Sequence, residues 1–465
     1  MGKTGMVQLR PNLTFHLIGI GGAGLSALAT VLHEAGYAVS GCDRSPSPFV
    51  DSLRALGVPV HLGHDPAHVQ YAGVVVRSSA VPPDHPEVRA AEELGRPVVK
   101  REAVIGALMA DRMGIAVAGT HGKTTTTAML AWIAMAAGRD PSFIVGGLIR
   151  GLNRNARAGR GDLFIVEADE YDRMFLGLRP RIAVVTTIEH DHPDCYPTPE
   201  AFFDAFVTFV ERVPSDGILV ACDADPGARR LADRVEAHGR AVMRYGWGPP
   251  ALWWARPMAV DRFEIYRGDQ PIGELTLQVP GHHHGLNALA ALAVAEAVGI
   301  PPANALEALG RFPGTARRFE VKGEAQGVLV IDDYAHHPGE IRATLRAARA
   351  RYPRRPIWAV FQPHTYSRTR ALLKEFAQAF EDADHVILTP IYAARETDTL
   401  GVSSQDIVQQ MIHPDARHFP DFDTAIAYLK EHIRPGDVVL TLGAGDGYRI
   451  GERLLDLLGQ SGEGR

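Results

Sequence analysis

Gly114-Ile-Ala-Val-Ala-Gly119-Thr120-His121-Gly122-Lys123-Thr124-Thr125-Thr-Thr127 decides how the rest of the chain is read. The apolar run before Gly119 reads as a buried strand and the two glycines as a tight turn. A helix is expected from about Lys123, with Met129, Trp132, Ile133 and Met135 as its apolar positions. Such a junction aims backbone N–H groups and the positive end of a helix dipole at one point, which suits a phosphate. Lys123 supplies a point charge for β- and γ-phosphates, and the Thr124 hydroxyl is placed to hold Mg2+. Gly119, Thr120, His121, Gly122, Lys123, Thr124 and Thr125 are therefore the candidate ATP-binding residues. The pattern is a shortened one, because Val117 stands where the strict phosphate loop carries glycine. A threonine-rich helix cap would explain the hydroxyls but not Gly-Lys-Thr together.

Working back toward the N-terminus, Thr14-Phe-His-Leu-Ile18 reads as a strand. It runs into Gly19-Ile20-Gly21-Gly22-Ala23-Gly24 and a helix carrying Leu25, Leu28, Val31, Leu32 and Ala35. The next strand ends at Asp43. This is the βαβ dinucleotide fingerprint: glycines for the turn and for close approach to a diphosphate, an acid for a ribose hydroxyl. A tight turn without a ligand would read the same way. Further strands at 73–76 and 97–99 complete a small α/β domain ending near residue 106. Because a second phosphate loop follows at once, the first is expected to hold the diphosphate of a nucleotide-linked substrate.

The 465 residues suggest about three domains. A hydrophobic share of 46% and a charged share of 22% are ample for several cores, and a net charge of −6 argues against nucleic-acid or membrane electrostatics. Cys42, Cys195 and Cys222 lack a C-x-x-C spacing and read as free thiols of a reducing compartment. The N-terminal residues lack a signal-peptide core and a myristoylation pattern, and no apolar run is long enough to span a bilayer. A cytoplasmic protein is expected.

Beyond the ATP loop, Asp162-Leu-Phe-Ile-Val-Glu167-Ala-Asp169-Glu170-Tyr-Asp172 is a buried strand ending in carboxylates, the place where Mg2+ ligands are expected in an ATP-binding α/β domain. A solvated acidic loop would look alike. A further strand at 182–186 leads to Glu189-His190-Asp191-His192-Pro-Asp194-Cys195-Tyr196. That cluster begins like a dinuclear metallo-hydrolase signature. Cys195 stands where the signature has histidine, and a Gly-Lys-Thr loop is foreign to that fold. Residues 215–280 read as short strands alternating with polar turns. Gly281-His-His-His284 is expected to be a loop with one useful histidine, ahead of an alanine-rich helix containing Asn287, since adjacent residues do not share a helix face. The stretch 312–320 has the turn chemistry of a linker. After it, strands at 327–332, 357–361, 385–388 and 437–442 carry polar residues at their C-terminal ends, the ligand-facing edge of a doubly wound sheet.

In this order, Gly19–Gly24, Ser78-Ser79-Ala-Val-Pro-Pro-Asp84, the Gly119 loop, Glu167-Ala-Asp-Glu170, Asp191-His192, Asn287, Arg318-Phe-Glu320, Asp332-Asp333-Tyr-Ala-His336-His-Pro338 and Phe361-Gln-Pro-His364 resemble the Mur-type ATP-dependent amide ligases of bacterial peptidoglycan synthesis, over about residues 13–450. The resemblance implies an α/β fold of three domains. Residues 1–106 would be a Rossmann-like UDP-sugar-binding domain, 107–312 a central ATP-binding domain of P-loop ATPase type, and 313–465 a Rossmann-like domain contacting amino acid and nucleotide. It implies ATP and Mg2+ as cofactors, UDP-N-acetylmuramate and L-alanine as substrates, and a monomer or weak dimer with no nucleic-acid or membrane partner.

The resemblance also implies site roles. Gly19, Ile20, Gly21, Gly22, Ala23, Gly24, Asp43, Ser78 and Ser79 would serve the UDP sugar. Lys123 would bridge ATP phosphates. Thr124 and Glu167 would hold one Mg2+ and His192 would help hold a second. Asn287, Arg318 and Asp333 would contact nucleotide, while His336, His364 and Arg368 would lie near the amino acid and the muramyl carboxylate. His284 departs from the family's usual asparagine at an adenine contact, and Thr365 from the arginine of some members. The implied chemistry is attack of the lactyl carboxylate on the γ-phosphate, then aminolysis of the acyl phosphate, with closure of the third domain excluding water. No residue stands out as the base for the amine. A sister ligase adding L-alanyl-γ-D-glutamyl-diaminopimelate to the same sugar shares Glu-Ala-Asp-Glu-Tyr-Asp. A folate–glutamate ligase should lack the first glycine loop, and a non-catalytic nucleotide-binding relative has no use for intact Lys123, Glu167 and His192.

Overall fold

The computed structural model describes residues 7–192 and 194–462. Three sheets make up the chain, each seeded by the apolar runs that the sequence marks. The first consists of β1 (Thr14–Ile18), β2 (Ala38–Asp43), β3 (Val60–Leu62), β4 (Val74–Arg77) and β5 (Val98–Lys100), in the order β3-β2-β1-β4-β5. All its pairings are parallel. The order reverses between β1 and β4, so the switch point, where such sheets bind ligands, falls at the C-terminal end of β1 and its glycine loop.

The second sheet holds β6 (Met113–Ala118), β7 (Ser142–Ile149), β8 (Arg154–Arg157), β9 (Leu163–Glu167), β10 (Ile182–Val185), β11 (Ile218–Cys222), β12 (Val242–Gly246), β13 (Trp253–Pro257), β14 (Arg262–Arg267) and β15 (Gln270–Thr276). Its order is β15-β14-β13-β12-β11-β10-β6-β9-β7-β8. β6 lies between β10 and β9, parallel to both. These three strands are buried along nearly their whole length. A parallel strand covered on both faces needs an unbroken apolar run rather than alternation, and that is what their sequences offer. The register sets Val117 beside Glu167 and Ala118 beside Val185, so carboxylate and hydroxyl residues arrive next to the loop that follows β6.

The third sheet holds β16 (Glu320–Ala325), β17 (Val328–Asp333), β18 (Ile357–Phe361), β19 (His385–Leu388), β20 (Ala416–His418) and β21 (Val438–Leu442), in the order β16-β17-β21-β18-β19-β20. Its side chains alternate between two cores. Leu329, Ile331, Ala359 and Phe361 pack on Ile341, Leu345 and Ala348 of the helix Pro338–Arg351. Val328, Val330, Trp358 and Val360 pack on Ile426, Leu429, Ile450 and Leu454 of two helices on the other face. Each fully buried Leu, Ile or Phe adds about 1.5–3 kcal/mol to stability.

The chain divides into two compact units. The first contains the first sheet and most of the second. The second unit comprises 257–263, 276–285 and 313–465. The fold is α/β, with Rossmann-like first and third sheet domains and a P-loop-type second one. Two readings of the sequence are corrected. Residues 226–237 are not strand and turn but the helix Pro226–Ala237. Asp225 caps it, Pro226 opens it, and Ala228, Leu231, Ala232 and Val235 are buried at helical spacing. The three adjacent histidines are not in a loop either, since the helix His282–Ala297 begins at the first of them.

Candidate active site

Each glycine loop leaves a helix N-terminus open. The helix Lys123–Ala136 starts at Gly122 and the helix Ala23–Glu34 at Gly22, and no described side chain caps either. Ser47, Thr198 and Asp225, by contrast, cap the helices that follow them. Uncapped N–H groups at both loops are suited to an anion. Gly122 has φ +81, and a Cβ there would come within 2.5 Å of Asn287 Oδ1, so the Asn287 side chain lies against the loop. At Gly119, φ +136, a Cβ would meet Thr186 Oγ1. Thr124, Thr125, Thr126 and Thr127 are all buried, while Trp132 and Met135, expected as core positions, are half-buried.

Around this loop the first unit gathers the acids of β9. Thr124 Oγ1 donates to Glu167 Oε1 at 3.1 Å, and the Gly146 N–H donates to Glu167 Oε2 at 2.7 Å. Burial, against the pull of Lys123, raises Glu167 above the usual carboxylate range. Lys123 Nζ donates to Gly119 O at 2.5 Å and to Glu170 Oε1 at 2.8 Å. Burial opposes its charge, but Glu170, Asp169 and Glu167 together hold Lys123 above its ordinary value. Glu170, which sequence reasoning did not single out, is 1% exposed, and its Oε2 has no hydrogen-bond partner among the described residues. His192, at φ +55, places Nε2 3.6 Å from Glu170 Oε1. Thr120 Oγ1 donates to Glu189 O at 2.7 Å, and the His121 N–H donates to Thr187 Oγ1 at 2.9 Å. The Thr124 hydroxyl and the Glu167 and Glu170 carboxylates, one of whose oxygens is the orphaned Oε2, form a hard oxygen set, which fits Mg2+.

At the first loop, the Gly19 and Ile20 N–H groups donate to Cys42 O at 2.8 and 3.1 Å, and the Gly21 N–H donates to Asp43 Oδ2 at 2.9 Å. Asp43 is thus partly engaged in holding the turn. A Cβ at Gly24 would collide with the Arg101 guanidinium, which is ion-paired to Asp169 at 2.8 Å. The Ser78 N–H donates to Ile18 O, and Ser79 Oγ donates to Asp172 Oδ2 at 2.7 Å, an acid also paired with Lys100.

The second unit brings its own candidates together. Asp333, at the end of β17, accepts from the Phe319 and Ala335 N–H groups at 2.7 and 2.8 Å, and burial raises it to about 6 despite Arg318. Arg318 Nη1 stands 3.8 Å from Glu340 Oε1, with its guanidinium 5.1 Å from the Tyr334 ring centroid. His336 accepts a place beside Glu340, its N–H donating to Oε2 at 3.0 Å, and its ring lies 5.8 Å from that of His364. His364 Nδ1 is 3.2 Å from Arg368 Nη1. Thr365, at φ +65, opens the short helix that carries the buried Arg368. His284 is buried. Desolvation, then His283 and Arg318, hold its imidazole well below the ordinary value, and Nδ1 has no hydrogen-bond partner among the described residues.

Known proteins place the chain in a family. Residues 14–113 match the Mur ligase family catalytic domain, 117–295 the Mur ligase middle domain, and 317–445 the Mur ligase glutamate ligase domain. A UDP-N-acetylmuramate–L-alanine ligase of Nitratidesulfovibrio vulgaris (strain DP4) is 46% identical over 95% of this chain and 98% of its own. A protein of the same name from Frankia casuarinae is 44% identical over 97% and 98%. Among solved structures, the UDP-N-acetylmuramate-alanine ligase of Thermotoga maritima superposes with a TM-score of 0.82 at 27% identity, covering 97% of this chain and 100% of that one. A murein peptide ligase of Psychrobacter arcticus gives 0.71 at 26%, covering 96% and 99%. The chain belongs to the Mur ligase family.

Proposed function

We propose that this chain is an ATP-dependent ligase that joins L-alanine to the lactyl carboxylate of UDP-N-acetylmuramate, in the synthesis of the peptidoglycan precursor. The observation that carries the reading is the Gly119–Thr125 loop with Lys123, Glu167 and Glu170 around it, in a chain that matches ligases of that name over nearly its whole length. Residues 1–106, 107–312 and 313–465 are its working segments, and it acts in the cytoplasm as a monomer or weak dimer, without nucleic acid or membrane.

In this reading the first glycine loop, with Asp43, Ser78 and Ser79, binds the UDP sugar. The open N-terminus of the helix Lys123–Ala136 receives the ATP phosphates, and Lys123 turns its charge from Glu170 to the transferring phosphoryl group. Thr124, Glu167 and His192 would hold Mg2+, which when bound would neutralise charge on the phosphoryl oxygens. The lactyl carboxylate attacks the γ-phosphorus, ADP leaves, and the alanine amine displaces phosphate from the acyl phosphate. Asn287, Arg318, Asp333 and His284 serve the nucleotide. His336 and His364 orient the reacting carboxylate, and Arg368 pairs with the alanine carboxylate.

An acyl-phosphate route transfers one oxygen of the substrate carboxylate to inorganic phosphate. Oxygen-18 in the lactyl carboxylate is expected in the released phosphate, and unlabelled phosphate would contradict the route. His284→Asn, which restores the family's usual residue, is expected to change the KM for ATP by less than about tenfold, or ~1.4 kcal/mol. A neutral buried imidazole already presents the same kind of hydrogen-bonding edge as an amide. Loss of activity in this variant would assign His284 a different task.

A further inference from the structure

Within the first sheet domain, side chains far apart in sequence meet below the first glycine loop. His16 of β1 pairs in register with Ser40 of β2, and the two-residue period of a strand puts Cys42 on the same face as Ser40. The helix Pro86–Glu93 brings Glu87 to this face from its first turn, and the 3-10 turn Pro66–Val69 brings His68. His16, Cys42 and Glu87 are 1%, 0% and 0% exposed. One ligating atom from each of His16, Cys42, His68 and Glu87 lies within 4.8 Å of the others. On one side Ile18, Val69, Val75 and Val88 pack in the same core cluster as Cys42, and on another His61 stacks on His68 with ring centroids 4.2 Å apart.

Hydrogen bonds account for part of this cluster. Cys42 Sγ donates to Glu87 Oε2 at 2.9 Å, and the Asp65 N–H donates to Oε1 at 2.9 Å. His68 Nδ1 lies 2.8 Å from Oε1, and His64 Nδ1 lies 3.3 Å from Cys42 Sγ. They account for only one nitrogen of His16. Its Nδ1 is 2.9 Å from Ser40 Oγ, whereas its Nε2 is buried with no hydrogen-bond partner among the described residues. In the tautomer that carries its proton on Nδ1, the serine oxygen accepts and the Nε2 lone pair stays inside the core. That is the arrangement by which outer partners fix the tautomer of a metal-binding histidine.

We propose that His16, Cys42, His68 and Glu87 form a binding site for a divalent transition-metal ion of the zinc class. Two imidazoles, a thiolate and a carboxylate are a borderline-soft set that favours zinc over the hard Mg2+ expected at the ATP loop. With four protein donors, the site is structural. As the metal–sulfur bond forms, the Cys42 Sγ–H proton leaves to solvent and Glu87 exchanges a thiol donor for the cation. The ion would tie β1 and β2 to the Pro66–Val69 and Pro86–Glu93 segments. Cys42 also accepts from Gly19 and Ile20 through its carbonyl, so the tie lies one residue's breadth from the glycine loop.

Co2+ is a suitable probe because its thiolate complexes absorb by charge transfer, and excess Mg2+ keeps it from the ATP loop. The untagged full chain, stripped with chelator, is titrated with Co2+ and then with Zn2+. One equivalent of Co2+ should develop a thiolate-to-cobalt band that Zn2+ abolishes, and the loaded chain should melt at higher temperature than the stripped one. Cys42→Ser should lose the band, His68→Gln should weaken binding at least about tenfold, and Cys195→Ser should retain the band with unchanged affinity. A folded wild-type chain without the band, or a band that disappears with Cys195 instead, would overturn the proposal. So would His68→Gln binding as tightly as wild type, a reading that stands even if Cys42→Ser does not fold.

Discussion

Lys123→Ala is expected to lower kcat by about a thousandfold, roughly 4 kcal/mol, because it removes the charge aimed at the transferring phosphoryl group. The structure adds a second consequence. Lys123 is also the partner of Glu170, whose side chain is 2% exposed, and breaking a buried pair from one side costs about 3–5 kcal/mol. The single variant should therefore melt early as well as turn over slowly. Lys123→Ala combined with Glu170→Gln removes the uncompensated charge and should regain most of the melting temperature but none of the rate. Glu170→Gln alone provides the baseline. Melting curves and phosphate release on the three proteins separate the effects. A folded double variant with near-normal release would remove Lys123 from the chemistry.

The adjacent arginines of the second unit should behave oppositely. Arg317 Nε pairs with Asp332 Oδ2 at 2.9 Å, its Nη2 and Nη1 donate to Gly443 O and Gly445 O at 2.7 and 3.0 Å, and its guanidinium lies 5.0 and 4.6 Å from the Tyr334 and Tyr448 rings. It joins β17 to the end of β21. Asp332 is buried, and without Arg317 its carboxylate keeps only Thr441 among the side-chain donors of the described residues. Arg317→Ala should destabilise the unit by about 3–5 kcal/mol, seen as faster hydrogen exchange in β17 and β21. Arg318, whose ion pair with Glu340 is loose, contributes at most about 1 kcal/mol by that contact. Arg318→Ala should leave exchange unchanged and raise the KM for ATP. Equal exchange in both variants would contradict this division of labour.

Why the sequence disclosed some of this and not the rest follows from which constraints are local. A phosphate turn needs glycines at given positions, such as Gly122 at φ +81, and a doubly covered parallel strand needs an unbroken apolar run, so both loops and the central strands are legible. The helix Pro226–Ala237 was legible too. Asp225-Pro226 marks its start, a signal that the reading of 215–280 as short strands and polar turns passes over. Glu170 carries no local mark, because only its pairing with Lys123 distinguishes it from the other acids after β9. The resemblance singles out Arg318, but nothing local in the sequence marks Arg317 as the partner of Asp332. The same holds for His16, Cys42, His68 and Glu87, which share no spacing pattern and meet only through strand register and helix placement.

The central claim is the pair of substrates, and the direct measurement is ADP formation by the purified chain with UDP-N-acetylmuramate and either L-alanine or L-alanyl-γ-D-glutamyl-diaminopimelate. A methylene more or less in a small pocket changes discrimination by about 1–3 kcal/mol, so serine and glycine should be poor acceptors rather than inert ones. The account predicts ADP formation that requires both UDP-N-acetylmuramate and L-alanine, with a product heavier by one alanine residue and the tripeptide excluded by its bulk. A higher kcat/KM for the tripeptide than for L-alanine would contradict it.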